Sequence, residues 1–79
     1  MAVKAFVLIQ TEIEVAKTAD VVAALKKLGR KVKSIDRVTG PYDIIMVIEV
    51  ETLPEIGDLV IDKINSIAGV YRTVTCVAI

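Results

Sequence analysis

The groups able to do chemistry are few, and their types exclude most reactions before any fold is considered. The 79 residues contain no histidine, no tryptophan and one cysteine, Cys76. Without histidine no side chain titrates near neutral pH unperturbed, and serine–histidine pairs, cysteine–histidine pairs and imidazole metal ligands are all missing. A lone thiol makes neither an internal disulfide nor a four-cysteine zinc site, which fits a reducing compartment. Ten acidic and ten basic residues cancel, and the acids show no pairing that assigns a general acid and a base. The one concentration of charge is Lys26, Lys27, Arg30, Lys31, Lys33 and Arg37, opposed only by Asp36. It reads as the solvated end of a helix, where cations suit the negative end of the dipole, or as a phosphate contact. No aromatic residue interleaves it to stack a base, and zero net charge leaves no surplus for nucleic acid. No catalytic residue, metal or cofactor is expected.

The elements that must position whatever remains are legible from periodicity. Ala5-Phe6-Val7-Leu8-Ile9 is a continuous apolar run and predicts a strand buried on both faces. Thr11-Glu12 could extend that strand or open the connection Glu12 to Lys17. Thr18 is placed to cap a helix in which Val21, Ala24, Leu25 and Leu28 recur at helical spacing and which Gly29 stops. Val32 to Thr39 predicts a second strand, and Gly40-Pro41 a turn. From Tyr42 to Glu51 the residues alternate, with Tyr42, Ile44, Met46, Ile48 and Val50 on one face and Ile45 and Val47 on the other. Thr52-Leu53-Pro54-Glu55 is a capping box opening a helix striped by Ile56, Leu59, Val60, Ile64 and Ile67, which Ala68-Gly69 ends. Val70 to Ile79 makes the last strand.

Strand, helix, strand, strand, helix, strand is two strand–helix–strand units, about residues 3–39 and 42–79. With right-handed crossovers they give a ferredoxin-like βαββαβ sandwich: α+β, four antiparallel strands and two helices on one face. The length allows one domain, residues 1–79. A chain this short buries only about 60% of its unfolded surface, yet 54% of its residues are hydrophobic. The excess predicts an oligomer. Ile45 and Val47 would line the uncovered sheet face, and a second sheet stacked there would make a dimeric α+β barrel. The opening Met1-Ala2-Val3-Lys4 lacks a signal-peptide pattern, and no apolar run approaches the ~18 residues of a membrane span. A soluble cytoplasmic protein is expected.

Three segments together resemble a family. Ala5 to Ile9 with Thr11-Glu12, then Val38-Thr39-Gly40-Pro41-Tyr42-Asp43-Ile44-Ile45, then Ile67-Ala68-Gly69-Val70-Tyr71-Arg72-Thr73-Val74-Thr75 look like the effector (RAM) domain of Lrp/AsnC regulators. The resemblance covers essentially the whole chain. It departs from the full-length regulators in having no helix-turn-helix domain ahead of the first strand, so direct DNA binding is not expected and the stand-alone members are the nearer likeness. The resemblance implies a module that binds a small molecule, usually an amino acid, at subunit contacts. It implies a dimer that can build rings of dimers, and co-assembly with full-length Lrp/AsnC regulators.

Carried over by motif, the ligand-binding residues are Gly40, Tyr42, Asp43, Thr73 and Thr75. Asp43 would accept from an ammonium, while backbone amides near Gly40 and the hydroxyls of Thr73 and Thr75 would donate to a carboxylate. Arg72 points the other way on the strand. Each residue also has a plain structural use: Gly40 in the hairpin, Tyr42 in the core, Asp43 at the turn, and the threonines as strand formers. Two other readings share the topology: a cofactor-free monooxygenase of the dimeric α+β-barrel kind, and a co-assembly partner that binds no ligand.

Overall fold

The computed structural model describes residues 2–79; Met1 lies outside them. Four strands, β1 (Val3–Thr11), β2 (Val32–Arg37), β3 (Ile44–Val50) and β4 (Val70–Val77), form one antiparallel sheet in the order β2-β3-β1-β4. Helix α1 (Thr18–Lys26) joins β1 to β2. Helix α2 (Leu53–Asp58) follows β3 and runs directly into a π-helical segment, Leu59–Ile64, before β4. This is the βαββαβ sandwich expected.

The covered face is built by alternation. In β1 Ala5, Val7 and Ile9 are buried, and in β3 Ile44, Met46, Ile48 and Val50. The register places Val7 opposite Met46 and Ile9 opposite Ile44, so the two central strands present one continuous apolar floor. Val21 and Leu25 of α1, Ile56 of α2, and Leu59, Val60 and Ile64 of the π-segment close over it. β1 is therefore buried on one face and not on two. Phe6 is 36% exposed, because both helices lie on the other side of the sheet.

Three boundaries differ from expectation for local reasons. Thr18 is the first helical residue and Lys17 the N-cap, which has no side-chain cap; the Thr18 hydroxyl lies 3.3 Å from that of Thr11. β1 does extend to Thr11, while β2 stops at Arg37 and β3 starts at Ile44. The intervening connection is closed by the Val38 N–H donating to the Asp43 carbonyl at 2.9 Å, with Gly40 at φ +122°. The second helix does not continue as an α-helix to Gly69. Its buried Leu59, Val60 and Ile64 stand five and four residues apart, a spacing that a wider π turn turns toward one side. The Asn65 N–H donates to the Val60 carbonyl at 2.8 Å and completes that turn.

The capping box is present. Both the backbone N–H and the hydroxyl of Thr52 donate to Glu55 Oε1, each at 3.1 Å, and Lys31 Nζ lies 3.3 Å from Glu55 Oε2. Desolvation pushes the Glu55 carboxyl up, but the Thr52 donors and the Lys31 ammonium outweigh it and hold it below its usual value. A carboxyl depressed in the folded state stabilises above its unfolded pKa, and that contribution is lost as pH falls through the folded one. The melting temperature should exceed that of Glu55→Gln at neutral pH, with the gap closing in acid; a gap that stays constant would contradict this.

Gly69 carries the closest packing constraint. It sits at φ +96°, and a Cβ there would lie 2.8 Å from Val21 Cγ2 and 2.9 Å from the Ala16 Cβ. Gly29, at φ +92°, has open space around it. Gly29→Ala should cost about 1–2 kcal/mol for backbone conformation alone, and Gly69→Ala a further ~1 kcal/mol or more for the clash. Urea melts of the two variants check the order, and equal losses would refute it.

Candidate functional site

The polar groups singled out from sequence gather at one end of the sheet, where β1 outruns β3. Ile9 is opposite Ile44 on one side and Thr73 on the other. Asp43 and Thr73 are therefore separated by the width of β1, about 10 Å at two interstrand spacings. Thr75 is opposite Val7, one pleat further in. Since Val7 and Ile9 face the helices, Thr73 and Thr75 share that face, and both are half-buried. Arg72, opposite Gln10, lies on the open face, as its alternation required.

Asp43 already has a structural task. Its N–H donates to the Ile9 carbonyl at 2.9 Å, just beyond the last β1–β3 pair, Ile9 with Ile44. Two residues on, the Thr11 N–H has no strand residue opposite it in β3, and Asp43 Oδ2 accepts it at 2.8 Å. The Thr11 hydroxyl donates to the same oxygen at 3.1 Å. The carboxylate thus stands in for the next ladder carbonyl, and through Thr11 and Thr18 it ties the β2–β3 turn to the start of α1. Asp43 Oδ1 remains available to a ligand. Tyr42 is half-buried beside it, and Gly40 is exposed in the turn.

Thr73 is also engaged. Its hydroxyl donates to Asn65 Oδ1 at 3.0 Å, linking the end of the π-segment to β4. Asn65 is exposed, and nothing local in the sequence joins it to a threonine eight residues on. Thr11 and Thr18 were legible as strand end and helix start but not as partners of Asp43 and of each other, because those contacts are tertiary.

The open face of the sheet is the second feature of note. The register aligns Cys76, Phe6, Val47 and Ser34 in one row and Val74, Leu8, Ile45 and Asp36 in the next. Ile45 and Val47 are thus at its centre, as expected. Val74 is 37% exposed. Lys4 and Glu49 pair at one end and Gln10 and Arg72 at the other, with Lys4 Nζ 5.2 Å from the Phe6 ring centroid. The face is apolar in the middle and polar at its rim.

Grooves within the single chain lie elsewhere. One of about 310 Å³ is lined by Arg30, Lys31, Lys33, Glu49, Glu51 and Glu55, at the opposite end of the sheet from Asp43. Its three cations face three carboxylates and compensate one another, so it offers no selective charge. Neither it nor the two smaller grooves is lined by Gly40, Tyr42, Asp43, Thr73 or Thr75. Among the described residues no cluster of three metal-ligating side chains occurs, and no helix is long and apolar enough to cross a membrane.

Comparison with known proteins bears on this arrangement. FFRP-DM1, whose crystal structure superposes with a TM-score of 0.87, is 31% identical over 98% of this chain and 99% of its own. TTHA0845 from Thermus thermophilus gives the same TM-score at 32% identity, covering 98% of this chain and 92% of its own. A transcriptional regulator from Neisseria meningitidis, NMB0573, solved as a complex with L-Met, matches in fold at a TM-score of 0.84 and 18% identity. There the likeness spans 98% of this chain and 49% of the regulator. No curated protein matches. The model of the Lrp/AsnC ligand binding domain matches residues 4–79, and the chain belongs to that family.

Proposed function

We propose that this chain is a cytoplasmic regulatory module that self-associates through its open sheet face and binds an amino acid between copies. The observation that carries the reading is the match of a ligand-binding-domain family across residues 4–79. Two features support it. The polar residues at the end of the sheet line none of the three grooves described above, which suits a site closed by a second copy. The open face presents Phe6, Leu8, Ile45, Val47 and Val74 together, more apolar surface than isolated exposed side chains account for. A twofold stacking of this face on itself needs no other partner. The L-Met complex of the Neisseria regulator makes L-methionine a sensible first probe. In this reading Asp43 Oδ1 accepts from the ligand ammonium and Tyr42 packs on its side chain. Gly40 keeps the turn's backbone amides accessible, and Thr75 adds a hydroxyl. The reading assigns regulation rather than catalysis and no DNA contact to these residues.

Three measurements test it. Purified protein is screened by thermal shift against the twenty common amino acids, with light scattering on each hit. A ligand at ~100 times its dissociation constant adds about 2.7 kcal/mol, or roughly 10–20 °C for a domain of this size. Stabilisation by one or a few amino acids with a change in assembly size is expected; a flat screen overturns the amino-acid reading. Val47→Glu should yield a folded monomer, since stacking would bury an unpaired charge; a dimer of unchanged mass refutes the stacked face. Asp43→Ala should lose about 1–3 kcal/mol by stranding the Thr11 donors. Asp43→Asn keeps an acceptor for Thr11 and should stay folded while losing the hit. Undiminished binding by Asp43→Asn would make Asp43 structural only.

A further inference from the structure

We infer that the turn from Glu12 to Val15 of one copy docks into the cationic groove between the end of α1 and the edge strand β2 of the next. This head-to-tail contact is separate from the open sheet face and does not rest on the amino-acid reading.

The turn carries two apolar side chains among carboxylates. Ile13 is 74% exposed and Val15 59%, and Glu12 and Glu14 are exposed beside them. That exposure is not looseness. The Glu12 N–H donates to the Gly69 carbonyl at 2.8 Å, and the N–H groups of Val15 and Ala16 both donate to the Glu12 carbonyl, at 3.0 and 3.2 Å. Ala16 packs on Gly69, where an added Cβ would meet its own at 2.9 Å. The turn's backbone is therefore ordered before any contact forms, which lowers the entropic cost of docking.

The groove has the matching chemistry. It holds about 240 Å³ and is lined by Lys26, Gly29, Val32, Lys33, Ser34 and Ile35. Val32 and Ile35 are half-buried, while both lysines are exposed. A Cβ at Gly29 would meet nothing within 4 Å, so the missing side chain leaves room. β2 is an edge strand, and its register against β3 shifts between Val32 and Ser34. From residue 26 to 35 the chain has five cations and no carboxylate. Lys31 pairs with Glu55, and among the described residues Lys26, Lys27, Arg30 and Lys33 have no ion-pair partner. The groove at Glu49, Glu51 and Glu55 differs, because its charges cancel.

A copy cannot fill its own groove. Val32 is opposite Ile48, which is opposite Ala5; the turn begins beyond Thr11, roughly 20 Å further along β1. Turn and groove lie at opposite ends of the sheet, so the occupant is a second copy. A nucleic acid would find no aromatic side chain to stack on there, and a small anion would leave Val32 and Ile35 uncovered. Glu12 and Glu14 complement Lys26 and Lys33, while Ile13 and Val15 complement Val32 and Ile35. Because the two surfaces differ, the contact repeats from copy to copy, closing into a ring or continuing as a filament. Exposed ion pairs are individually weak and screened by salt, so the contact is weak and sensitive to ionic strength.

Sedimentation velocity on the whole chain tests this. In ~20 mM salt the weight-average mass should rise at least about twofold between ~10 μM and ~1 mM, and the rise should vanish in ~0.5 M salt. Glu12→Lys with Glu14→Lys puts cations on both sides of the contact; Lys26→Glu with Lys33→Glu puts carboxylates on both. Each variant alone should lose the rise, and an equimolar mixture should regain it, because each then offers what the other lacks. Ile13→Ser with Val15→Ser keeps the charges and should lose the rise as well. All six side chains are exposed, and circular dichroism checks that each variant is folded. Should the Lys26 change unsettle the last turn of α1, Lys33→Glu alone takes its place, with a partial loss. Val47→Glu should keep the rise from a lower starting mass, so failure of the stacked face is read separately from failure of this contact. A wild-type mass that does not change with concentration overturns the inference. Variants that keep the rise overturn it too, as does a mixture that stays at the mass of its components.

Discussion

The two-residue periodicity of β1 and β3 governs what this chain can be. Both strands are apolar on both sides, but two short helices cover only one side of the sheet. Ala5, Val7 and Ile9 meet Val21, Leu25 and Ile64, while Phe6 and Leu8 alternate onto a face with nothing over it. The chain cannot cure this by folding differently. A one-residue slip of register would exchange the two faces and expose the larger buried set. Burial of a branched aliphatic or phenylalanine side chain stabilises by about 1.5–3 kcal/mol, so the open face carries a driving force comparable to the stability of a small domain. The alternation thereby leaves an apolar face that a lone chain does not bury.

The same sheet explains why polar chemistry sits at its end. Along the central strands each backbone group is taken by a neighbour. Where β1 continues to Thr11 after β3 has begun, ladder partners run out and side chains replace them. Asp43 supplies the missing acceptor to the Thr11 N–H, and Asn65 reaches β4 from the π-segment. Such side chains have more hydrogen-bonding capacity than the ladder uses. A carboxylate that accepts through Oδ2 has a second oxygen, and an amide that accepts through Oδ1 has two donors. Residual capacity at a strand end, beside a turn with few backbone restraints, is what a small polar ligand can use.

Much of the fold was legible because it rests on periodicity and local chemistry. The alternation from Ile44 to Val50, the capping box at Thr52 and Glu55, and the positive φ at Gly29 each follow from a few neighbouring residues. What escaped was set by tertiary contact. Thr18 has the composition of a cap, yet its hydroxyl faces Thr11 from another element. The π-segment follows from three core residues at mixed spacing, which an α-helical stripe absorbs without complaint. For the candidate site, the family resemblance pointed to Asp43 and Thr73, but their hydrogen-bond partners Thr11 and Asn65 were not legible. A hydroxyl reads as donor or acceptor until its neighbour is known, and Asn65 lies eight positions away on another element. Buried and exposed faces are one-body properties that a sequence displays; hydrogen-bond direction is a two-body property that it does not.

Placing the polar groups at the strand end and the apolar groups on the sheet face has a thermodynamic consequence. In the proposed reading, stacking would use the face of Ile45 and Val47 and a ligand the strand end near Asp43, so dimerisation would not compete with binding. A ligand held between two copies would make contacts that a lone chain lacks. Linkage then requires that it raise the association constant by the same factor by which association raises its affinity. Because the charges of the chain sum to zero, general electrostatic repulsion between copies is weak and does not mask a coupling of this size. Under the proposed function, such a coupling would let the concentration of a metabolite set the state of assembly without moving any element of the core.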